Sequence, residues 1–205
     1  MSFENLRKIF NPSSVAVVGA SEDAGSIGKT LTMNLTQGGF KGSVYLVNPR
    51  KNKVLGFDTY PSVSKLPEEV DLAVVATPAS VVPGIAEECG QSGIGGLIVV
   101  SAGFKEIGPE GLDLEKQITR AQQKYEEMRI VGPNCLGVMR PSINLNATFA
   151  RKMVRQGKVA FISQSGALCT SILRPAEGLK LLGTGSKGQP TVAIDMNPQD
   201  MVVLA

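Results

Sequence analysis

The chain has 205 residues, 42% of them hydrophobic and 19% charged, with 23 glycines and a formal net charge of +3. That balance suits a soluble, glycine-punctuated α/β domain, or one domain and part of another, and excludes a disordered tail. Cations scattered among acids argue against a nucleic-acid surface, and no apolar run approaches the roughly 20 residues that cross a bilayer.

The first segment, Ser2–Phe10, is charged and amphipathic and lacks the apolar core of a signal peptide. Buried strands are predicted over Val15–Gly19, Val44–Val47, Leu72–Ala76, Leu97–Val100 and Arg129–Val131. Helices are predicted over Gly28–Gln37, Ala79–Gln91 and Leu112–Met128, with a shorter one near Leu66–Val70. In the third long helix, Leu112, Ile118, Tyr125 and Met128 are expected to form the apolar face. The strands are near-continuous apolar runs, as when helices cover both faces of a parallel sheet. The fold class is therefore α/β, a Rossmann-like doubly wound parallel sheet over residues 1–140, with ligands bound at the carboxyl ends of its strands. Residues 141–157 read as a polar, irregular connector. A fresh strand, Lys158–Ile162, and a helix start open a second α/β unit over 158–173, which has no room to finish and is expected to be truncated. From Arg174 the pattern decays, so 174–205 is an unassigned tail, with one further strand possible in the apolar run Thr191–Met196.

The first strand runs into the loop Gly19–Gly28 and then a helix. Strand, glycine loop and helix in that order present bare backbone N–H groups and a helix N-terminus to phosphate. Gly19, Ser21, Ser26 and Gly28 are the candidate contacts, although the spacing is not a regular G-x-G-x-x-G and a plain tight turn is the competing reading. The second strand ends in Asn48-Pro49-Arg50-Lys51-Asn52-Lys53. An NAD site would carry Asp or Glu there for the ribose 2′-hydroxyl. Three cations instead point to a ligand with phosphate on its ribose, NADP or coenzyme A; a solvated turn is the plain alternative.

Thr77 and Pro78 follow the third strand and also suit simple helix initiation. Ser101, Gly103 and Glu106 follow the fourth, where Gly103 permits close approach of a ligand to the backbone. Asn134 and Cys135 follow the fifth. Asn134 offers an amide, whereas Cys135 has no histidine to activate it and reads as a buried, inert thiol, like Cys89 and Cys169. Ser163, Ser165 and Gly166 form a strand-to-helix turn that either binds an anion or caps the helix. With no histidine, the sequence excludes within itself Ser-His-Asp and Cys-His catalysis, histidine metal sites and a phosphohistidine, and no catalytic or metal-binding residue is assigned. Three cysteines without paired spacing fit a reducing cytoplasm.

Six runs in order carry a resemblance: Val17-Val18-Gly19-Ala20-Ser21, Val47-Asn48-Pro49, Ala76-Thr77-Pro78-Ala79, Ser101-Ala102-Gly103-Phe104-Lys105-Glu106, Gly132-Pro133-Asn134-Cys135-Leu136-Gly137 and Ser163-Gln164-Ser165-Gly166-Ala167-Leu168. Together they resemble the N-terminal part of the nucleoside-diphosphate-forming acyl-CoA synthetases, above all the α region of ADP-forming acetyl-CoA synthetases, and more distantly the succinyl-CoA synthetase α subunit. The likeness covers about residues 3–173. It implies a Rossmann-like CoA-binding domain followed by the start of a flavodoxin-like, succinyl-CoA-ligase-like unit. Gly19, Ser21, Ser26 and Gly28, and Asn48 with Lys51 or Lys53, would hold the CoA phosphates. Thr77-Pro78 and Ser101–Glu106 would line the CoA path, with Pro133-Asn134-Cys135 near its thiol end.

The reaction implied is acyl-CoA + ADP + phosphate giving acid + ATP + CoA, in either direction, through an acyl phosphate and a phosphorylated histidine. A phosphate would rest at the Ser163–Leu168 turn. The phosphohistidine with its carboxylate partner, and the ATP-grasp part with ADP/ATP and Mg, have no counterpart in this sequence. The chain alone is expected to bind CoA or acyl-CoA without completing the cycle, with an ATP-grasp β subunit or a homo-oligomer mate as partner. A non-catalytic CoA-binding regulatory module and an NADP-binding redox domain are the alternatives.

Overall fold

The computed structural model describes residues 4–157, 160–170 and 202–204. Its strands are β1 (Ser14–Val18), β2 (Ser43–Val47), β3 (Lys53–Val54), β4 (Phe57–Tyr60), β5 (Leu72–Val75), β6 (Gly96–Val99), β7 (Arg129–Val131), β8 (Gly137–Arg140), β9 (Leu145–Thr148), β10 (Phe161–Ser163) and β11 (Val202–Leu204). Its helices are α1 (Glu4–Phe10), α2 (Ile27–Gln37), α3 (Val82–Gln91) and α4 (Pro109–Lys124), and residues 166–170 are also helical. None of the described helices is long and apolar enough to cross a membrane.

The main sheet has the order β3-β4-β2-β1-β5-β6-β7, parallel throughout except for β3. Alternation along its strands sorts side chains onto two faces. Val15, Val17, Leu46, Leu72, Val74 and Ile98 share one cluster with Ile9 of α1 and Leu31 and Leu35 of α2. Ala16, Val18, Val47, Ala73, Val75, Leu97 and Val99 share the other with Val82, Ala86 and Cys89 of α3 and Ile118 and Ala121 of α4. Both faces are therefore covered, which explains why the strands read as unbroken apolar runs. Each fully buried Val or Leu contributes about 1.5–3 kcal/mol.

A second sheet, ordered β10-β11-β8-β9, packs against α1 and α2. The Asn34 amide on α2 donates to the carbonyls of Thr148 and Ala150, each at 2.8 Å. Arg140 donates to the Phe10 carbonyl at 3.0 Å and to Asn11 Oδ1 at 2.7 Å, so a cation closes the C-terminal end of α1.

Several predicted elements shift. The helix expected near Leu66–Val70 is absent; a single 3₁₀ turn at Val63–Lys65 precedes an extended Leu66. Pro67 follows, and its ring drives Leu66 out of the helical region. The Leu112–Met128 helix is instead Pro109–Lys124, and its buried stripe is Gly111, Glu115, Ile118 and Ala121. Leu112 is 42% exposed. The reason lies at Gly111, where a Cβ would stand 1.9 Å from the Phe104 carbonyl oxygen: the helix sits on that backbone and turns Leu112 outward.

The hairpin β3–β4 went unpredicted because its turn places Leu55 at φ 51° beside Gly56 at φ 86°, a conformation that leucine rarely signals. The stretch read as irregular contains β9, all four of whose residues are buried. Its polar members disguise it: Thr148 donates to Asn146 Oδ1 at 2.6 Å, and Asn146 donates to the Ala150 carbonyl at 3.2 Å. Of the strand expected over Lys158–Ile162, Lys158 and Val159 lie outside the described residues, and β10 runs Phe161–Ser163. The run Thr191–Met196 and the rest of 174–205, apart from β11, also lie outside them.

Candidate functional site

Strand order reverses between β1 and β5, and the loops that follow them part there, which is where doubly wound sheets bind ligands. Gly19 turns the chain at φ 91°. Its N–H and that of Ala20 both donate to the Val47 carbonyl, at 3.0 and 3.2 Å. A Cβ on Gly19 would lie 2.7 Å from the Ala76 oxygen, and one on Gly28 2.1 Å from the Gly19 oxygen. The first glycine lets the turn fit against the end of β5; the second lets α2 start directly on the turn. Ser26 N-caps α2: its hydroxyl accepts from the Lys29 N–H at 3.1 Å and donates to the Asp23 carbonyl at 2.9 Å. The Ser21 hydroxyl accepts from the Asp23 N–H at 3.0 Å. Both serines thus shape the loop from within. Thr77 Oγ1, at the end of β5, is buried with no hydrogen-bond partner among the described residues. Pro78 follows it and is exposed.

The basic turn is tied to this loop. The Asn48 amide donates to the Ala20 carbonyl at 2.8 Å, and its Oδ1 accepts from the N–H groups of Arg50 (2.8 Å) and Lys51 (3.1 Å). Asn48 is a strut between the ends of β1 and β2. Thr59 donates to the Lys51 carbonyl, which ties the turn to β4. Lys51 Nζ lies 3.0 Å from Glu22 Oε1 and 3.5 Å from Asp23 Oδ1. Its hydrogen bond, with a second from the Leu55 N–H, holds the Glu22 carboxyl below its usual range, and the Glu22 carboxylate raises the Lys51 ammonium in turn. Lys53, on β3, pairs with Asp58 directly opposite at 3.5 Å. The Arg50 side chain is exposed and has no hydrogen bond or ion pair among the described residues. Sequence reasoning missed this pairing; Glu22 and Asp23 were its only signal.

Beyond β6, Ser101 is buried, and its carbonyl accepts from the Asn134 N–H at 2.9 Å, which joins the fourth loop to the fifth. Gly103, at φ 105°, passes so close to Ala79 that a Cβ would stand 3.1 Å from the alanine methyl. Glu106 turns back on its own loop and accepts from the Gly103 N–H at 2.6 Å. Burial pushes the Glu106 carboxyl up, but hydrogen bonds from the backbone at Gly103, Glu106 and Phe104 outweigh it and hold the group below its usual value. Lys105 pairs at 3.6 Å with Glu115, whose Oε2 is buried with no hydrogen-bond partner among the described residues.

Asn134 sits at φ 55° and is exposed. Cys135 points inward to the Val99 carbonyl at 3.3 Å, and burial pushes its thiol up to about 12. Its thiol is therefore turned away from solvent. Ser165 caps residues 166–170 by accepting from the Leu168 N–H at 3.2 Å, and Ser163 Oγ accepts from the Ser165 N–H at 3.0 Å. A Cβ on Gly166 would stand 3.9 Å from the Leu136 nitrogen, so this turn lies beside the Gly132–Gly137 loop. The structure thus gathers the candidate residues along one edge, with Lys53 outermost on the hairpin. Among the described residues, no group of three or more Cys, Asp or Glu side chains is placed to hold a metal ion.

A parallel doubly wound sheet with a glycine turn at its switch point and a cation-bearing turn after its second strand defines a Rossmann-like domain of the kind that binds nucleotides at this edge. The family model described as CoA binding domain matches residues 13–141, and the chain belongs to that family. Over 168 residues, 82% of the chain, it is 46% identical to an ADP-forming acetate–CoA ligase I of Archaeoglobus fulgidus, 24% of which is covered. It is 43% identical, over 82% of its length, to the α subunit of an ADP-forming acetate–CoA ligase I of Pyrococcus furiosus, covering 37% of that subunit. Among solved structures, an acetyl-coenzyme A synthetase 1 of Ca. Korarchaeum cryptofilum, in complex with phosphate and ADP, superposes with a TM-score of 0.76 at 42% identity, over 82% of this chain and 36% of that one. The chain spans about a quarter to somewhat over a third of the length of the curated relatives it matches.

Proposed function

We propose that these residues are the CoA-binding part of an ADP-forming acyl-CoA synthetase, which interconverts acyl-CoA, ADP and phosphate with acid, ATP and CoA. The carrying observation is the family match over residues 13–141, a span that includes every loop of the ligand edge from Gly19 to Cys135. The residues fit the ligand. The glycine turn and the N-terminus of α2 suit a pyrophosphate. The unpartnered Thr77 hydroxyl lies beside that turn, and a cation at the end of β2 suits the ribose 3′-phosphate. Asn134 and the backbone of Cys135 suit the thiol end, and Ser163, Ser165 and Gly166 adjoin that loop. When bound, CoA would supply the thiol that carries the acyl group.

These 205 residues contain no histidine. In this reading the phosphorylated histidine and the ATP-grasp site with its ADP/ATP and Mg come from further chain or from a partner subunit. The cysteines Cys89, Cys135 and Cys169 are unpaired and buried, which supports work in a reducing cytoplasm. Calorimetric titration with CoA, dephospho-CoA and NADPH tests the reading. CoA should bind, and loss of the 3′-phosphate should cost about 1.5–3 kcal/mol. NADPH binding with CoA silent would replace this reading with a redox domain; silence from all three would end it.

A further inference from the structure

We infer that the two acids of the glycine loop keep Lys51 as their own counter-ion, and that Arg50 is the side chain that recognises a ligand's ribose phosphomonoester. This rests on the CoA reading of the site. The turn after β2 offers three cations, and the structure distributes them unequally. Lys51 spans to the glycine loop, 3.0 Å from Glu22 and 3.5 Å from Asp23, while the other Glu22 oxygen accepts from the Leu55 N–H at 3.4 Å. Lys53 is opposed by Asp58 across the β3–β4 hairpin. Arg50 alone of the three has no carboxylate partner among the described residues.

Its backbone is nonetheless fixed. The Arg50 N–H is held by Asn48, which is itself held by Ala20 of the glycine loop. The guanidinium therefore starts from a rooted position beside the phosphate-binding turn. Its chemistry favours phosphate recognition. A planar fork, charged at every working pH, meets a phosphate with two parallel hydrogen bonds, where an ammonium is only a point charge.

Lys51 has a different role. Glu22 and Asp23 stand on the loop that a ligand's phosphates must approach, and two uncovered carboxylates would repel them. Paired with Lys51 they are screened. Were Lys51 to swing to the ligand, that screening would be lost as the new contact formed. Removing Lys51 should therefore weaken every phosphate-bearing ligand of this edge alike. Removing Arg50 should abolish discrimination by the ribose phosphate.

The test measures Kd for CoA, dephospho-CoA, NADPH and NADH on the wild type, Arg50→Ala, Arg50→Lys, Lys51→Ala, Lys53→Ala and the triple variant Lys51→Ala/Glu22→Gln/Asp23→Asn. Thermal melts confirm that each variant folds. The wild type should prefer CoA over dephospho-CoA by about tenfold or more. Arg50→Ala should bring that ratio to within about twofold, and Arg50→Lys should restore it only in part. Lys51→Ala should lower both affinities by a similar factor with the ratio intact, and the triple variant should recover them. Lys53→Ala should change neither. A ratio that survives Arg50→Ala, or collapses in Lys51→Ala, overturns the inference. CoA binding without any preference for the 3′-phosphate overturns it while the CoA reading stands. If CoA is silent and the NADPH-to-NADH ratio collapses in Arg50→Ala, the Arg50 assignment stands and the CoA reading falls. No binding at all removes both.

Discussion

Replacing Gly28 with alanine sets two physical rules against each other. In a helix, alanine is favoured over glycine by about 1 kcal/mol, so local propensity predicts a more stable protein. In the fold, the new Cβ would lie 2.1 Å from the Gly19 oxygen and 3.3 Å from both the Gly19 carbonyl carbon and Ser21 Cβ. An unstrained contact needs roughly 3.5 Å, so α2 or the glycine turn must retreat by about 1.4 Å. Neither yields easily. Leu31 and Leu35 bury α2 in the core, and the turn is held by two N–H donors on the Val47 carbonyl and by Asn48 on the Ala20 carbonyl. Overpacking of this kind costs about 1–3 kcal/mol. After the propensity gain, the expected outcome is a net loss of up to about 2 kcal/mol. Urea unfolding followed by far-ultraviolet circular dichroism reads it, with Gly84→Ala as control. Gly84 lies in α3, is exposed, and a Cβ there meets nothing within 4 Å, so that variant should gain about 0.5 kcal/mol. If Gly28→Ala is more stable than the wild type, as helix propensity alone predicts, α2 is not seated on the Gly19 carbonyl and the steric reasoning is wrong.

Asn48→Ala removes the partner of the Ala20 carbonyl and of the Arg50 and Lys51 N–H groups, and should cost about 1–3 kcal/mol in a thermal melt while weakening CoA binding; a variant that melts with the wild type would show that the strut is dispensable. The Glu106 carboxyl sits below its usual value because the backbone bonds outweigh burial, so its contribution is fully present above the unfolded pKa of about 4.3 and is lost as pH falls through the folded value. Glu106→Gln should accordingly flatten the acid limb of a Tm-versus-pH curve, and an unchanged limb would contradict the assignment. Burial pushes the Cys89 and Cys135 thiols up to about 12. Both should resist thiol reagents at pH 8 in the native protein and react in urea, and rapid native labelling of Cys135 would place its side chain in the site after all. The same shifts favour the fold below the unfolded thiol pKa of about 8.5 and withdraw that stabilisation as pH rises towards about 12, which alkaline melts of Cys→Ser variants at these positions would register.

The amino-acid sequence by itself determined the parallel core and the glycine turn at its switch point. Apolar runs such as Val15–Val18 and Leu72–Val75 are hydrophobic at every position, which is stable only when both faces are covered, and the glycines at 19 and 28 bracket a turn that other residues could not make. Hydrophobic periodicity is a local signal, and these features are local. It failed where burial was polar or a turn was unusual. Asn146 and Thr148 satisfy each other inside β9, and Leu55 takes a left-handed turn to close β3–β4, so neither element had an apolar pattern or turn signature to betray it. Only the tertiary structure decided which groups are spent and which are free. Ser21, Ser26, Asn48 and Glu106 look like ligand contacts in sequence, yet each hydrogen-bonds to backbone of these loops. Lys51 and Lys53 look equivalent to Arg50, yet both face carboxylates, one from a loop 28 and 29 positions earlier and one across a hairpin. Whether a cation is free depends on what stands opposite it, and that neighbour is set by the chain's path through space, which no local pattern of residues encodes.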